Sequence, residues 1–174
     1  MSMARSYDEE FTAFAAAALP HLRRTAYLMS GDWHRAEDVA QDALIKVYGA
    51  WRRVEQREGL LPYARRTTIR LLIDESRRPW RRERPTAAHG AESLVRGDGS
   101  ARFDDRDQMV RALSELPAGR RACVVLRYYH DLSVAETAEA LGCSEGTVKS
   151  QTSHALQTLR VLLGDEALAK GPLR

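Results

Sequence analysis

The sequence predicts an all-α fold made of two small helical domains joined by a linker. Apolar residues recur at steps of three and four through most of the chain, which is the period of a helix with one buried face. Between about Pro85 and Ala101 this period is lost, and Thr, Ala, Gly, Ser and single charges take its place. The predicted boundaries are residues 1–84 for the first domain, 85–105 for the linker and 106–174 for the second domain.

The composition is that of an ordinary globular protein. Of the 174 residues, 44% are hydrophobic and 29% are charged, and the net charge is +3. No run of eighteen apolar residues exists and the acidic start lacks an export signal, so we expect a cytoplasmic protein that does not insert into a membrane. Cys123 and Cys143 lie in apolar helical patterns without a CxxC pair. This favours buried, reduced thiols and predicts neither a metal site nor a cofactor.

The first helical region extends from Tyr7 to Ser30. Its apolar residues have helical spacing, but Pro20 interrupts them. Because proline disrupts a helix interior, we expect one helix to end near Ala18 and another to begin at Leu19 or Pro20.

The next helix is predicted from about Trp33 to Trp51, with Gly31 ending the helix before it and Asp32 as its N-cap. One side carries a seam of small residues: Ala36, Ala40, Ala43, Val47 and Ala50. Another side carries acidic and amide groups around an isoleucine: Glu37, Asp38, Gln41, Asp42, Ile45 and Lys46. From the residues alone, this second side is either plain solvent-exposed surface or a surface that docks on a partner.

The last helix of the first domain is predicted from Leu61 or Pro62 to about Arg78, where Pro79 ends it. Residues 61–84 carry eight basic and three acidic side chains. Three carboxylates cannot neutralise eight arginines, so an anionic partner is expected to lie against them. DNA phosphate explains this segment better than internal ion pairs.

The second domain begins with two predicted helices. The first lies near Asp104 to Leu116. The second runs from about Gly119 to His130, and its outward residues are Arg120, Arg121 and Arg127.

Residues 132–163 predict a helix-turn-helix. Ser133 and Glu136 form a capping box, Gly142 ends the first helix and Ser144 caps the second. The buried stripe of the second helix is predicted to hold Val148, Thr152, Ala155, Leu159 and Leu162. Its opposite face carries hydrogen-bonding groups that suit base edges and phosphates: Lys149, Ser150, Gln151, Ser153, His154 and Gln157. An ordinary helical hairpin with a polar outside is the alternative.

In combination, two blocks of this chain resemble the extracytoplasmic-function (ECF) sigma factors of the sigma-70 class. They are GDWHRAEDVAQDALIKVYGAW in the first domain and ELPAGRRACVVLRYYHDLSVAETAEALGCSEGTVKSQTSHAL in the second. The segment RRPWRRERPT resembles the actinobacterial SigE-like branch of this family. The resemblance covers about Phe11 to Leu163. It implies a protein that binds RNA polymerase core and directs transcription initiation at the minus-10 and minus-35 promoter elements.

The resemblance also implies a role for each surface. In region 2, the first domain, the residues that dock on the clamp helices of the beta-prime subunit are Glu37, Asp38, Gln41, Asp42, Ile45 and Lys46. The implied minus-10 contacts are Arg65, Arg66, Thr68, Arg70, Asp74, Arg77, Arg78, Trp80 and Arg81. Region 4, the second domain, touches the beta flap. Its implied minus-35 contacts are Ser144, Thr147, Lys149, Ser150, Gln151, Ser153, His154, Arg120 and Arg127.

The partners implied by the family are RNA polymerase core, promoter DNA and an anti-sigma factor, without a small-molecule substrate. The alternative function is a helix-turn-helix regulator of the response-regulator output type, since GTVKSQTSHAL resembles that class too. It would need a receiver domain of alternating strands and helices. The five histidines are scattered and no nucleophile elbow or phosphate loop is present, so we expect no enzyme.

Overall fold

The computed structural model describes residues 2–51, 53, 59–77 and 100–165, and every regular element among them is helical. The prediction of an all-α fold is therefore confirmed. The helices are α1 (Ser2–Ser30), α2 (Trp33–Trp51), α3 (Leu60–Ser76), α4 (Ser100–Ser114), α5 (Ala118–Val124), α6 (Val134–Leu141) and α7 (Glu145–Leu163), and a π-helical turn follows α5 at Val125–Tyr129. The chain forms two compact units, Met1–Glu75 and Ser76–Arg174. Within the described ranges, no helix has both the length and the apolar character needed to cross a bilayer.

α1 is one continuous helix, so the predicted break at Pro20 is wrong. A proline in a helix interior costs about 3 kcal/mol, because it removes a backbone hydrogen bond and crowds the preceding turn. Ala18 and Leu22, on either side of this proline, are both buried in one apolar cluster with Val47 of α2. Ending the helix at Pro20 would remove part of this packing, and the packing offsets the cost of the proline.

The core of the first unit combines small and aromatic side chains. Four members of the predicted alanine-rich seam of α2 are fully buried: Ala36, Ala40, Ala43 and Val47. The rings of Phe11 and Phe14 in α1 each lie 5.2 Å from the Trp51 ring, measured between centroids. Leu60 and Ala64 bring α3 into the same cluster. This packing determines which sides of α2 and α3 remain exposed.

α4 begins at Ser100, four residues before the predicted start at Asp104, and so includes the end of the predicted linker. The rest of that linker, residues 85–99, lies outside the described residues. Helix prediction depended on apolar spacing, and the sequence Ser-Ala-Arg-Phe-Asp-Asp at the start of α4 offers little of it. The start of this helix was therefore missed.

Arg121 faces inward, although the sequence predicted that it faces outward. Its Nη2 donates to the carbonyl oxygens of Ser114 and Leu116 at 2.8 and 2.9 Å. Burial lowers the pKa of Arg121 to about 10, although nearby Glu115 acts in the opposite direction. The guanidinium is still protonated at neutral pH, so it supplies a cationic hydrogen-bond donor at the C-terminal end of α4.

The turn signals of the helix-turn-helix are confirmed. Ser133 Oγ accepts from the Glu136 amide at 3.1 Å, and Glu136 Oε2 accepts from the Ser133 amide at 2.7 Å. These hydrogen bonds hold the pKa of Glu136 below its ordinary value. Gly142 has a φ of 67°, and Ser144 Oγ accepts from the Thr147 amide at 3.1 Å. The two caps fix where α6 ends and where α7 begins.

α7 buries most of its predicted stripe. Val148, Ala155 and Leu159 are fully buried, whereas Leu162 in the last turn is exposed, so the prediction for Leu162 is wrong. Full burial extends along α7 as far as Leu159, and in the last turn only Leu163 is half-buried. Cys123 is buried beside Val148, and burial raises the pKa of this thiol to about 11. The cysteines are free, as predicted, but Cys143 is only half-buried.

Candidate polymerase and nucleic-acid interfaces

α2 presents one exposed face made of residues that it does not use for packing. Asp32 Oδ1 accepts from the amides of His34 and Arg35 at 2.8 and 3.1 Å, which fixes the start of the helix. Glu37 is half-buried, and the other five predicted docking residues are exposed: Asp38, Gln41, Asp42, Ile45 and Lys46. Ile45 is 68% exposed and Tyr48, one turn along, is 43% exposed. An exposed apolar group among charges is typical of a protein contact surface.

The acidic side chains of this face have different surroundings. Glu37 Oε2 lies 2.5 Å from Arg23 Nε, and Glu37 Oε1 accepts from Gln41 Nε2 at 3.1 Å. Asp38 Oδ2 is 3.7 Å from Arg35 Nη1, and the Asp38 side chain is 67% exposed. Glu37 therefore already joins α1 to α2, whereas Asp38 keeps most of its charge available to a partner.

α3 carries a polar stripe on the side opposite its buried residues. The buried residues are Leu60, Ala64, Thr68, Ile69 and Leu72. Arg66, Arg70, Asp74 and Arg77 follow one another at steps of four, four and three, so they share one face. The last three are exposed, and Arg66 lies 5.9 Å from the centroid of the Tyr63 ring. This stripe is cationic, apart from Asp74, and open to a ligand.

Thr68 does not belong to that surface, so its prediction as a DNA contact is wrong. It is fully buried, and its Oγ1 donates to the Ala64 carbonyl at 3.0 Å. The helical period turns Thr68 to the same side as Ala64 and Leu72. Arg65 is half-buried on the flank of α3. Three further predicted contacts, Arg78, Trp80 and Arg81, lie outside the described residues.

An ion pair between α2 and α3 was not predicted from the sequence. Arg35 Nε donates to Glu75 Oε2 at 3.0 Å, and Arg35 Nη2 contacts Glu75 Oε1, so the pair is bidentate. The two side chains are only 24% and 14% exposed. Glu75 lies on the buried side of an arginine-rich helix, which is a signal for a cationic partner. The sequence could not identify that partner, because it lies forty residues away.

The predicted recognition helix, α7, presents its polar groups to solvent. Six of the predicted contacts are exposed: Ser144, Thr147, Lys149, Ser150, Ser153 and His154. Gln151 is half-buried. Lys149 Nζ lies 4.0 Å from Glu145 Oε2 at the surface, and such an exposed pair is weak. These groups lie in the N-terminal half of α7, the part of a helix-turn-helix that meets base edges and phosphates.

Arg120 and Arg127, the two arginines predicted to support α7, are both half-buried. Arg127 Nη1 donates to the Leu132 carbonyl at 2.5 Å and so fixes the end of the π-helical turn before α6. Arg127 also lines an open cavity of about 370 Å³ together with Lys149, Ser153 and Arg160. The cation-lined side of this cavity is continuous with the exposed face of α7.

Comparison with known proteins identifies the family that carries these surfaces. The family model described as Sigma-70 region 2 matches residues 14–82, and the one described as Sigma-70, region 4 matches residues 106–159. The RNA polymerase sigma-E factor of Streptomyces coelicolor is 34% identical over 154 residues, which are 87% of this chain and 84% of the relative. The chain belongs to the extracytoplasmic-function sigma factors. It therefore directs RNA polymerase to promoters at the start of transcription.

Other relatives of the sigma factor agree with this assignment. The ECF RNA polymerase sigma factor SigL of Mycobacterium tuberculosis H37Rv is 34% identical over 148 residues, covering 82% of each chain. A co-crystal structure of the sigma factor RpoE with the anti-sigma factor NepR from Bartonella quintana has a TM-score of 0.69 and 25% identity. That similarity covers 91% of this chain and 99% of the other. The response-regulator alternative is excluded, because region 2 occupies the half of the chain in which a receiver domain would lie.

Proposed function

We propose that residues 1–84 of the sigma factor bind polymerase core and open the minus-10 element, while residues 106–174 read the minus-35 element. The segment 85–105 links them. The observation that carries the proposal is that one chain has two unlike exposed faces. The face of α2 is acidic with an apolar centre, and the face of α7 consists of hydrogen-bonding groups. A chain with only one of these faces could bind polymerase or DNA, but not both.

The exposed face of α2 is the proposed docking site for the clamp helices of the beta-prime subunit. Ile45 supplies the apolar contact, and Asp38 and Asp42 on its flank fix the register by pairing with cations of the partner. No ion pair of Asp42 is found within the part of the chain that the structure describes. Its charge is therefore available to the polymerase.

The arginine stripe of α3 is the proposed minus-10 surface. Arg66, Arg70 and Arg77 would lie along the phosphates, and Arg65, Asp74, Arg78, Trp80 and Arg81 complete the proposed set. Such contacts release counterions, so opening of the promoter should weaken as salt concentration rises. The burial of Thr68 excludes it from the proposal.

α7 is the proposed reader of the minus-35 element. Lys149, Ser150 and Gln151 would enter the major groove, with further contacts from Ser144, Thr147, Ser153, His154, Arg120 and Arg127. Arg127 would contact the DNA from the cavity that it lines together with Lys149. Region 4 would also touch the beta flap of the polymerase.

Regulation by an anti-sigma factor is part of the proposal. The support is that the similar RpoE structure contains such a partner, NepR. An anti-sigma factor would prevent initiation by covering the faces of α2 and α7.

We further propose that the protein acts in the cytoplasm and that the polymerase makes every RNA bond. The sigma factor itself would then contribute binding energy only, without catalysis, a cofactor or a small-molecule substrate.

Run-off transcription with an actinobacterial core polymerase across a promoter library tests the proposal directly. The expected result is RNA synthesis from a subset of templates that share two elements at one spacing. Core polymerase alone is the control for background initiation. RNA synthesis without any shared element, or none from any template, would overturn the proposal.

A further inference from the structure

The Arg35–Glu75 pair joins the two functional helices of the first unit. Arg35 lies in the first turn of α2, three residues before Asp38, and Glu75 lies in the last turn of α3, directly after Asp74. The guanidinium holds both carboxylate oxygens of Glu75, and its remaining Nη1 lies 3.7 Å from Asp38. One arginine therefore contacts a proposed polymerase-docking residue and the end of the proposed promoter-opening helix.

The geometry of this contact restricts how α3 can move. A bidentate arginine–carboxylate pair fixes direction as well as distance, because two parallel hydrogen bonds prevent rotation about either one. Glu75 lies on the inner side of α3, and Arg70 and Asp74 lie on its outer, exposed side. Holding Glu75 therefore determines where the outer side of the last turn points. The last buried apolar residue of α3 is Leu72, three residues before Glu75, so the ion pair lies at the C-terminal end of the buried side of the helix.

We propose that Arg35 is a positioning residue, which holds the last turn of α3 against α2 so that polymerase docking sets the orientation of the promoter-opening surface. This inference rests on the proposed function. It adds a role for a residue that makes no proposed contact with polymerase or DNA. When a cation of the polymerase takes Asp38, Arg35 keeps Glu75 as its partner, so the link between the two helices persists in the bound state.

A purely stabilising ion pair is the competing explanation, and promoter opening separates the two. If Arg35 positions α3, its loss should slow strand opening on duplex promoter while leaving core affinity unchanged. A template with a mismatched, already open minus-10 element should then remove most of the defect. If Arg35 only stabilises the fold, both templates should suffer equally, because the active fraction of sigma factor falls on both.

The experiment uses the full-length chain with Arg35→Gln, compared with Arg23→Gln as a matched control. Arg23 also forms an interhelical pair, but with Glu37 of α2. Three quantities are measured: core affinity by competition, thermal unfolding midpoint, and rate of open-complex formation on duplex and on mismatched promoter. We expect Arg35→Gln to slow opening about tenfold on duplex, the effect of losing a half-buried ion pair, and less than about twofold on mismatched promoter. Arg23→Gln should leave the ratio between the two templates unchanged.

Two further variants keep the result decisive if Arg35→Gln folds poorly. Arg35→Lys keeps the charge but not the two-pronged geometry, so it should also slow opening on duplex selectively. Exchanging the partners, with Arg35→Glu and Glu75→Arg together, should restore the duplex rate. Equal slowing on both templates, or no rescue by the exchange, overturns the proposal. Failure of the wild-type chain to transcribe would instead count against the proposed function itself.

Discussion

Asp38 is a single residue at which a substitution should change polymerase docking without changing the stability of the fold. Its side chain is 67% exposed and its contact with Arg35 is long, at 3.7 Å, so it contributes little to stability. Asp38→Arg should lower core affinity about tenfold or more, because it sets a cation against the cations of the polymerase. Competition for core against labelled wild-type protein measures the change.

Two controls accompany that experiment. Asp38→Asn removes the charge without reversing it and should give a smaller loss of core affinity. Asp107→Arg makes the same charge reversal at an exposed position of α4 and should leave core affinity unchanged. Equal core affinity of Asp38→Arg and the wild type would reject the docking assignment for α2.

Thr68 is the residue at which sequence and structure disagree about DNA binding. Thr68→Val keeps the shape of the side chain and removes only the hydroxyl that donates to Ala64 at 3.0 Å. We expect a loss of about 1 kcal/mol in the free energy of unfolding and unchanged minus-10 opening. Chemical denaturation and open-complex rates measure the two effects. Arg70→Ala, on the exposed stripe, should instead leave the free energy of unfolding unchanged and slow minus-10 opening.

Among the helices, α7 allows the most specific prediction, because its substitution should affect transcription but not core affinity. Lys149→Ala with Gln151→Ala should lower transcription from a promoter with both elements about thirtyfold or more, since each lost contact to a base or phosphate is worth about 1–3 kcal/mol and two are lost. Core affinity should stay unchanged. Run-off transcription and core competition measure these quantities. Gln108→Ala on the exposed side of α4 is the control, and a matching loss in that variant would argue for a general defect.

The elements also show what local sequence can determine. The bounds of α2 and the caps at Ser133, Gly142 and Ser144 were predicted correctly, because a cap is a contact between residues three or four positions apart. The wrong prediction at Pro20 arose because the deciding partner is distant. Pro20 stays in a helix because residues of α2 pack against both of its sides.

The residues of the candidate site also divide into those that local spacing could place and those that depend on distant partners. Helical period alone put the six docking residues of α2 on one face, and all of them except half-buried Glu37 are exposed. In α3 the family resemblance assigned Thr68 to DNA, although its spacing of four residues from Ala64 and from Leu72 places it on the buried side of the helix. The Arg35–Glu75 and Arg121–Ser114 contacts depend on tertiary folding, so no pattern in the sequence could specify both partners.

For the whole molecule, the proposed function requires the two units to bind their promoter elements together. Changing the distance between the two elements tests this requirement. Each unit offers few contacts to DNA, so neither should bind promoter strongly alone. Attachment of both units to one polymerase makes the second contact effectively intramolecular. The contribution of α7 should therefore depend on whether the minus-35 element lies within its reach.

Inserting five base pairs between the elements turns the minus-35 element by about half of the 10–10.5 base-pair helical repeat, to the far side of the DNA. Run-off transcription by the wild-type sigma factor should fall to the level of a template without a minus-35 element. The Lys149→Ala, Gln151→Ala variant should lose almost nothing further on the same insertion, because it has already lost that contact. Equal sensitivity of the two proteins to the insertion would show that spacing acts through something other than α7.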